Sequence, residues 1–119
     1  MYPLARQIQI ATDQAKGMAA RLAGVDVPSY PDTETTFDDL KARLAKTADY
    51  LRRFSPAQIN GSEDRDIALK IGPNEMRFKG RDYAFGFVLP NFYFHAATAY
   101  DILRHAGVDL SKRDFMGMI

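Results

Sequence analysis

The chain has 119 residues, 46% of them hydrophobic and 12% aromatic, which fits one folded domain and argues against intrinsic disorder. Its 16 basic and 15 acidic residues leave a net charge of +1, so no long-range field steers it toward nucleic acid or an anionic membrane. It has no cysteine, which excludes disulfides, thiolate catalysis and cysteine zinc sites, and no signal-like or membrane-length apolar run, so the expectation is a soluble cytoplasmic protein.

The first predicted helix begins almost at once, with Pro3 suited to the first helical position. Leu4, Ile8, Ala11, Ala15, Met18 and Leu22 follow at alternating spacings of four and three, one apolar stripe of a helix. Gly24 is a natural stop. Residues 25–35 carry two prolines and no helical period, so they read as an extended connector. Thr36 is a good N-cap with Asp39 as its capping-box partner. Phe37, Leu40, Leu44, Thr47 and Leu51 carry the stripe of a second helix, which should end near Phe54.

Residues 55–65 are turn-rich, and Ser55-Pro56-Ala57-Gln58 suits a single helical turn. Ile67, Leu69 and Ile71 alternate with Ala68 and Lys70, Gly72-Pro73-Asn74 is turn chemistry, and Met76 and Phe78 alternate with Arg77 and Lys79. That pattern predicts a small β-hairpin, which must lie on the helices or pair with another chain. The third long helix is predicted from Asp82 to Ala106, apolar on most sides and therefore central, with Pro90 kinking or splitting it. The tail should pack through Leu110 and Phe115.

Chemistry has few places to reside. The two histidines, His95 and His105, lie about 15 Å apart along one helix and cannot share a metal ion. His105, just ahead of Gly107, reads as a helix C-terminal cation. Asn91, His95, Thr98 and Ile102 share one face of an otherwise apolar helix, and buried polar groups there need partners. Gln7 and Gln14 on the first helix can supply them, with Gln9 and Asp13 on a neighbouring face. A satisfied polar network that fixes helix register is one reading; a small-molecule or metal pocket built from Gln7, Asn91, His95 and Thr98 is the other. Glu63, Asp64 and Asp66 lack calcium-loop spacing. No phosphate-loop, nucleophile-elbow or paired-histidine zinc motif occurs.

The run Leu89-Pro90-Asn91-Phe92-Tyr93-Phe94-His95-Ala96-Ala97-Thr98-Ala99-Tyr100-Asp101-Ile102-Leu103-Arg104-His105-Ala106-Gly107-Val108 resembles the signature of the DUF1993 family. So do Phe78-Lys79-Gly80, Lys112-Arg113-Asp114-Phe115, Asp32-Thr33-Glu34-Thr35-Thr36-Phe37 and the stretch from Pro3 to Ala11. The resemblance covers essentially the whole chain, residues 1–119, as a single domain. It implies a bacterial, all-α, DinB/YfiT-like up-down bundle with a small hairpin between its second and third long helices. Many members of that superfamily hold a divalent metal through three histidines, and some are thiol-dependent transferases.

The superfamily's histidine pair on the last metal helix falls here on Asn91 and His95, and the remaining histidine on Gln7 or Gln9. At most one of three ligands, His95, survives, so the expected metal site is degenerate and no cofactor is expected. Family members carry about one further helix ahead of the segment matching Met1-Tyr2-Pro3. The resemblance therefore implies a truncated start, with the fourth helix missing, one groove uncovered and a homodimer to cover it. The expected role is a small-ligand-binding or interaction module. Its rivals are a DinB-like metal-dependent enzyme using His95 and a pure interaction protein.

Overall fold

Pro3, in extended backbone, opens α1 (Leu4–Ala23), and Gly24 closes it in the left-handed conformation at φ 72°. A computed structural model describes residues 1–118 of the chain. Thr36 caps α2 (Phe37–Arg52): its hydroxyl accepts from the Asp39 amide at 3.0 Å, and the Asp39 carboxylate accepts from the Thr36 amide at 3.1 Å. Such a box stabilises a helix start by about 1 kcal/mol. The Thr35 N–H, which donates to the Asp39 carboxylate at 3.0 Å, and then the Thr36 hydroxyl and N–H hold that carboxyl below the usual carboxylate range. α3 (Pro56–Ile59) is the expected single turn.

β1 (Asp66–Ile71) and β2 (Asn74–Lys79) form the expected antiparallel hairpin, with Ile67 opposite Phe78 and Leu69 opposite Met76. Gly72, at φ 60°, supplies the positive φ that a two-residue hairpin turn demands at its first position. The hairpin does not stand alone in water. Its Ile67, Leu69 and Phe78 lie on Leu22 of α1 and on Tyr83, Ala84 and Val88, and this cluster is the apolar core. Gly80 passes so close to the Ser62 carbonyl oxygen that a Cβ there would overlap it.

The third long helix is one continuous rod in three parts: α4 (Gly80–Asp82), a π-helical segment (Tyr83–Val88) and α5 (Leu89–His105). Pro90 explains the middle part. It has no N–H to donate and its ring crowds the carbonyl of the preceding turn, so the helix widens there instead of breaking. The tail contains α6 (Lys112–Met116), a short helix that the sequence reading did not anticipate, and Phe115 packs edge-on against Tyr100 at 5.7 Å.

Direction is where the fold departs from the expected up-down order. His95 of α5 meets Gln7 near the start of α1, and Tyr83 meets Arg21 near its end, so α5 runs antiparallel to α1. α2 does not. The connector 25–36 can extend about 40 Å, against about 30 Å for α1, so it returns along α1 and starts α2 at the same end. Asp32 meets Arg6, Glu34 meets Gln9, and Arg43 meets Thr12, so α2 lies parallel to α1.

Arg43 holds this crossover in place. Its side chain is 2% exposed. Nε donates to Thr12 Oγ1 at 2.7 Å, Nη2 to Asp13 Oδ1 at 2.8 Å and the Gln9 carbonyl at 3.3 Å. Nη1 reaches Glu34 Oε1 at 3.0 Å, Asp32 Oδ1 at 3.1 Å and the Pro31 carbonyl at 3.3 Å. Lys16 pairs with Asp13 at 2.9 Å, and Lys16 and Lys46 both face the Tyr30 ring.

Arg43→Met should destabilise the fold toward the lower end of about 3–5 kcal/mol, because Asp13 and Asp32 keep partial access to water after the cation is lost. Gly80→Ala should cost about 2 kcal/mol through overlap with backbone. Urea unfolding followed by circular dichroism measures both; wild-type midpoints in either variant would contradict these assignments.

Candidate functional site

His95 lies one helical turn past Asn91 on the face of α5 turned to α1, and is 9% exposed. Its Nδ1 is 2.6 Å from Gln7 Oε1. Gln7 is fully buried, and its amide nitrogen donates to the Tyr2 carbonyl at 3.0 Å and reaches the Met1 thioether at 3.3 Å. With the amide nitrogen committed to those acceptors, Gln7 Oε1 faces the ring and accepts, so Nδ1 carries the proton. Burial lowers the pKa of His95, and the nearby Arg6 charge lowers it further. The imidazole is therefore neutral at pH 7, with its lone pair on Nε2.

The structure brings together only this pair from the four residues of the expected polar pocket. Asn91 Nδ2 donates to the Phe87 carbonyl at 3.0 Å, at the exit of the π-helical segment. Thr98 Oγ1 donates to the Phe94 carbonyl at 2.7 Å. Both side chains turn back onto their own helix, as Asn and Thr do when the preceding turn offers an acceptor. Gln9 and Asp13, on the next face of α1, go to Glu34 and Arg43 instead. Asn91 does line a polar recess of about 510 Å³ with Gln14, Lys16 and Arg21 of α1 and the tip of β1. His105 is exposed at the end of α5, and Asp66 pairs with Lys79 at 2.7 Å at the base of the hairpin.

A transition metal does not fit this donor set. Among the described residues no three His, Cys, Asp or Glu side chains converge as ligands. His95 offers one imidazole nitrogen, and the Gln7 oxygen is already held by the other. A divalent metal of the zinc or nickel type asks for three or more nitrogen, sulfur or carboxylate donors.

The larger feature is apolar. Between α1, α2 and α5 runs an open groove with a deep part at each end, of about 440 Å³ and about 500 Å³. Ala15, Leu51 and Phe92 line both parts, so the two are continuous. α1 supplies the floor from Ile8 to Leu22, a length of about 21 Å at the rise of an α-helix. Leu44 and Leu51, part of the apolar stripe read from the sequence, are exposed on the α2 rim. The residues that α2 buries against α1 are Leu40, Arg43 and Thr47. The sequence contained a signal for this: Arg43 lies three residues from Leu40 and four from Thr47, in phase with the buried face.

Parallel and antiparallel long helices, a single hairpin and one imidazole at the α1–α5 seam define a DinB-like helical domain. The chain matches the DUF1993 family, a domain of unknown function, over residues 1–116, and belongs to it. A crystal structure of a DinB family member from Shewanella denitrificans is 38% identical, with a TM-score of 0.90; the match covers 100% of this chain and 67% of that one. No curated protein matches the chain. Among the described residues no helix is long and apolar enough to cross a membrane.

The depressed pKa of His95 has a consequence for stability. Between its folded value and about 6.5, the unfolded chain binds the proton and the folded chain resists it, so stability falls as pH drops below about 6.5 and is insensitive to this group above it. Urea midpoints measured from pH 5 to 8 should show this slope in the wild type and a shallower one in His95→Gln. Equal slopes would remove His95 as the titrating group.

Proposed function

We propose that this chain is a cytoplasmic small-ligand-binding or interaction module on a DinB-like bundle, and that its metal position is degenerate. The apolar groove is its working surface. One observation carries the reading: the apolar stripes of all three long helices converge on an open groove, whereas the polar stripe of α5 closes on a single Gln7–His95 bond. Ile8, Ala15 and Met18 of α1 are only half-buried on that floor. An uncovered apolar surface of this extent marks a binding site for an apolar ligand or another chain.

The rival is a divalent-metal-dependent enzyme of the thiol-dependent transferase type using His95. The Nδ1 bond to Gln7 favours it in one respect, since metal-binding histidines are usually oriented by a bond at the other ring nitrogen. The shortage of further donors argues against it, and the DinB name of the Shewanella protein supplies no activity.

Two measurements separate the readings. An environment-sensitive apolar dye should bind the wild type, and Ala15→Trp, which fills the middle of the groove, should weaken that binding at least tenfold while helicity is kept. Elemental analysis of protein purified without a metal-affinity column should show well under one equivalent of transition metal. Dye binding unchanged in Ala15→Trp, or one equivalent of metal lost in His95→Ala, would overturn the proposal.

A further inference from the structure

Arg21, half-buried in the last turn of α1, has no carboxylate. Its Nη1 donates to the Tyr83 hydroxyl at 2.9 Å, and no acidic side chain among the described residues pairs with it. A guanidinium carries five N–H donors, so a single hydroxyl acceptor leaves most of the fork open. The buried cations nearby are already matched. Lys16 Nζ lies 2.9 Å from Asp13 Oδ1, and Arg43 takes the same oxygen at 2.8 Å.

The fork is nevertheless held in place. Gly17, one turn before Arg21, is buried inside α1, where glycine is a costly residue for a helix. A Cβ at Gly17 would run into Arg21 Nη1. The missing side chain lets the guanidinium lie along α1 and reach Tyr83, which is fully buried under the hairpin. Glycine and phenol together fix a cation that no acid fixes.

Arg21 faces the polar recess of about 510 Å³ between α1, the tip of β1 and Phe87 and Asn91 of the long helix. Small-molecule sites are typically about 300–1,000 Å³. Gln14, one heptad before Arg21 and on the same side of α1, lines it too. Leu69, Ile71 and Phe87 form its apolar wall, and Phe87 stacks on Tyr83 at 6.2 Å. Its one acid is Asp13, already held by Lys16 and Arg43, and Lys70 stands exposed at its rim. Gln14 and Arg21 lie about 100–120° around α1 from Ala15, so the recess and the apolar groove are separate surfaces of one helix.

We propose that this recess binds a small organic carboxylate, with the Arg21 fork on the carboxylate group and Leu69, Ile71 and Phe87 against its apolar body. A guanidinium meets a carboxylate through two parallel N–H···O bonds. One half-buried, unpaired cation matches a monoanion. Phosphate is commonly met by helix N-termini, and α1 presents its C-terminal half here. The site stands independently of the groove.

2-Naphthoate is the probe, 2-naphthamide its neutral match and inorganic phosphate the competitor, each titrated into the full nitrogen-15-labelled chain by NMR. Naphthoate should saturably shift the signals of Gln14, Arg21 and Phe87 and bind at least about tenfold more tightly than naphthamide. Arg21→Gln should abolish that preference. Because Arg21 also holds Tyr83, Gly17→Ala supplies a second reading: alanine favours the helix and displaces the guanidinium, so the urea midpoint should be kept while naphthoate binding weakens at least about threefold. A folded Gly17→Ala that binds naphthoate like the wild type overturns the proposal. So does equal affinity for the acid and the amide, or phosphate competing as well as naphthoate does. Shifts confined to Ala15 and Phe92 would place the probe in the groove and sink the recess alone. No saturable shift at all sinks the recess and leaves the groove to its own dye experiment.

Discussion

A guanidinium has five N–H donors in one plane, and burying it requires an acceptor for each. Arg43 meets that demand by drawing three separate segments together: Gln9, Thr12 and Asp13 from α1, Pro31, Asp32 and Glu34 from the connector, and its own position on α2. The geometry leaves little freedom. Once the connector is held against α1 by Asp32 and Glu34, α2 has to begin where α1 begins, and the two helices become parallel neighbours. The parallel pair leaves the antiparallel α5 to pack on the other side of α1. The groove between α2 and α5 is the direct outcome.

Polar and apolar interiors are therefore divided in an unusual way. α1 buries Gln7, Gln9, Thr12 and Lys16 against its neighbours, each with a partner, and no buried side-chain nitrogen or oxygen among the described residues lacks one. The apolar core proper lies at one end, under the hairpin, where Leu22, Ile67, Tyr83, Ala84 and Val88 meet. Tyr83 is fully buried there, and its hydroxyl accepts from Arg21 at 2.9 Å. Polar pairing fixes which helix lies where. Dispersion and apolar burial hold one end shut and leave the long face open.

Local structure could be read closely from the sequence because it is set by local chemistry. Gly24, the Thr36–Asp39 box, the Ser55-Pro56 turn and the Gly72-Pro73 hairpin each fix their own few residues, and each is where the pattern put it. Gln7 opposite His95 was also legible, since a polar residue on an apolar helix face needs a partner on the helix beside it. Helix direction was not legible, because a proline-bearing connector can return along a helix or turn sharply, and only Arg43 decides between these. Asn91 and Thr98 misled for a related reason: a backbone carbonyl four residues back satisfies them as well as a neighbouring helix would. The stripe of α2 was legible as an apolar face, but not that Leu44 and Leu51 on it line an open groove and stay exposed.

The separation of the hairpin-end core from the Arg43 cluster bears on how the molecule opens. Both are anchored on α1, at Leu22 and at Thr12 and Asp13, about three helical turns apart by the rise of an α-helix. Two packed regions joined along α1 need not exchange their amide hydrogens together. The hairpin end is closed by aromatic packing and the crossover end by a guanidinium that is 2% exposed, whose ion pairs salt screens far less than surface pairs. Ionic strength therefore has a hold on the exposed Arg6–Asp32 pair at the rim of the crossover and little on Arg43 beneath it.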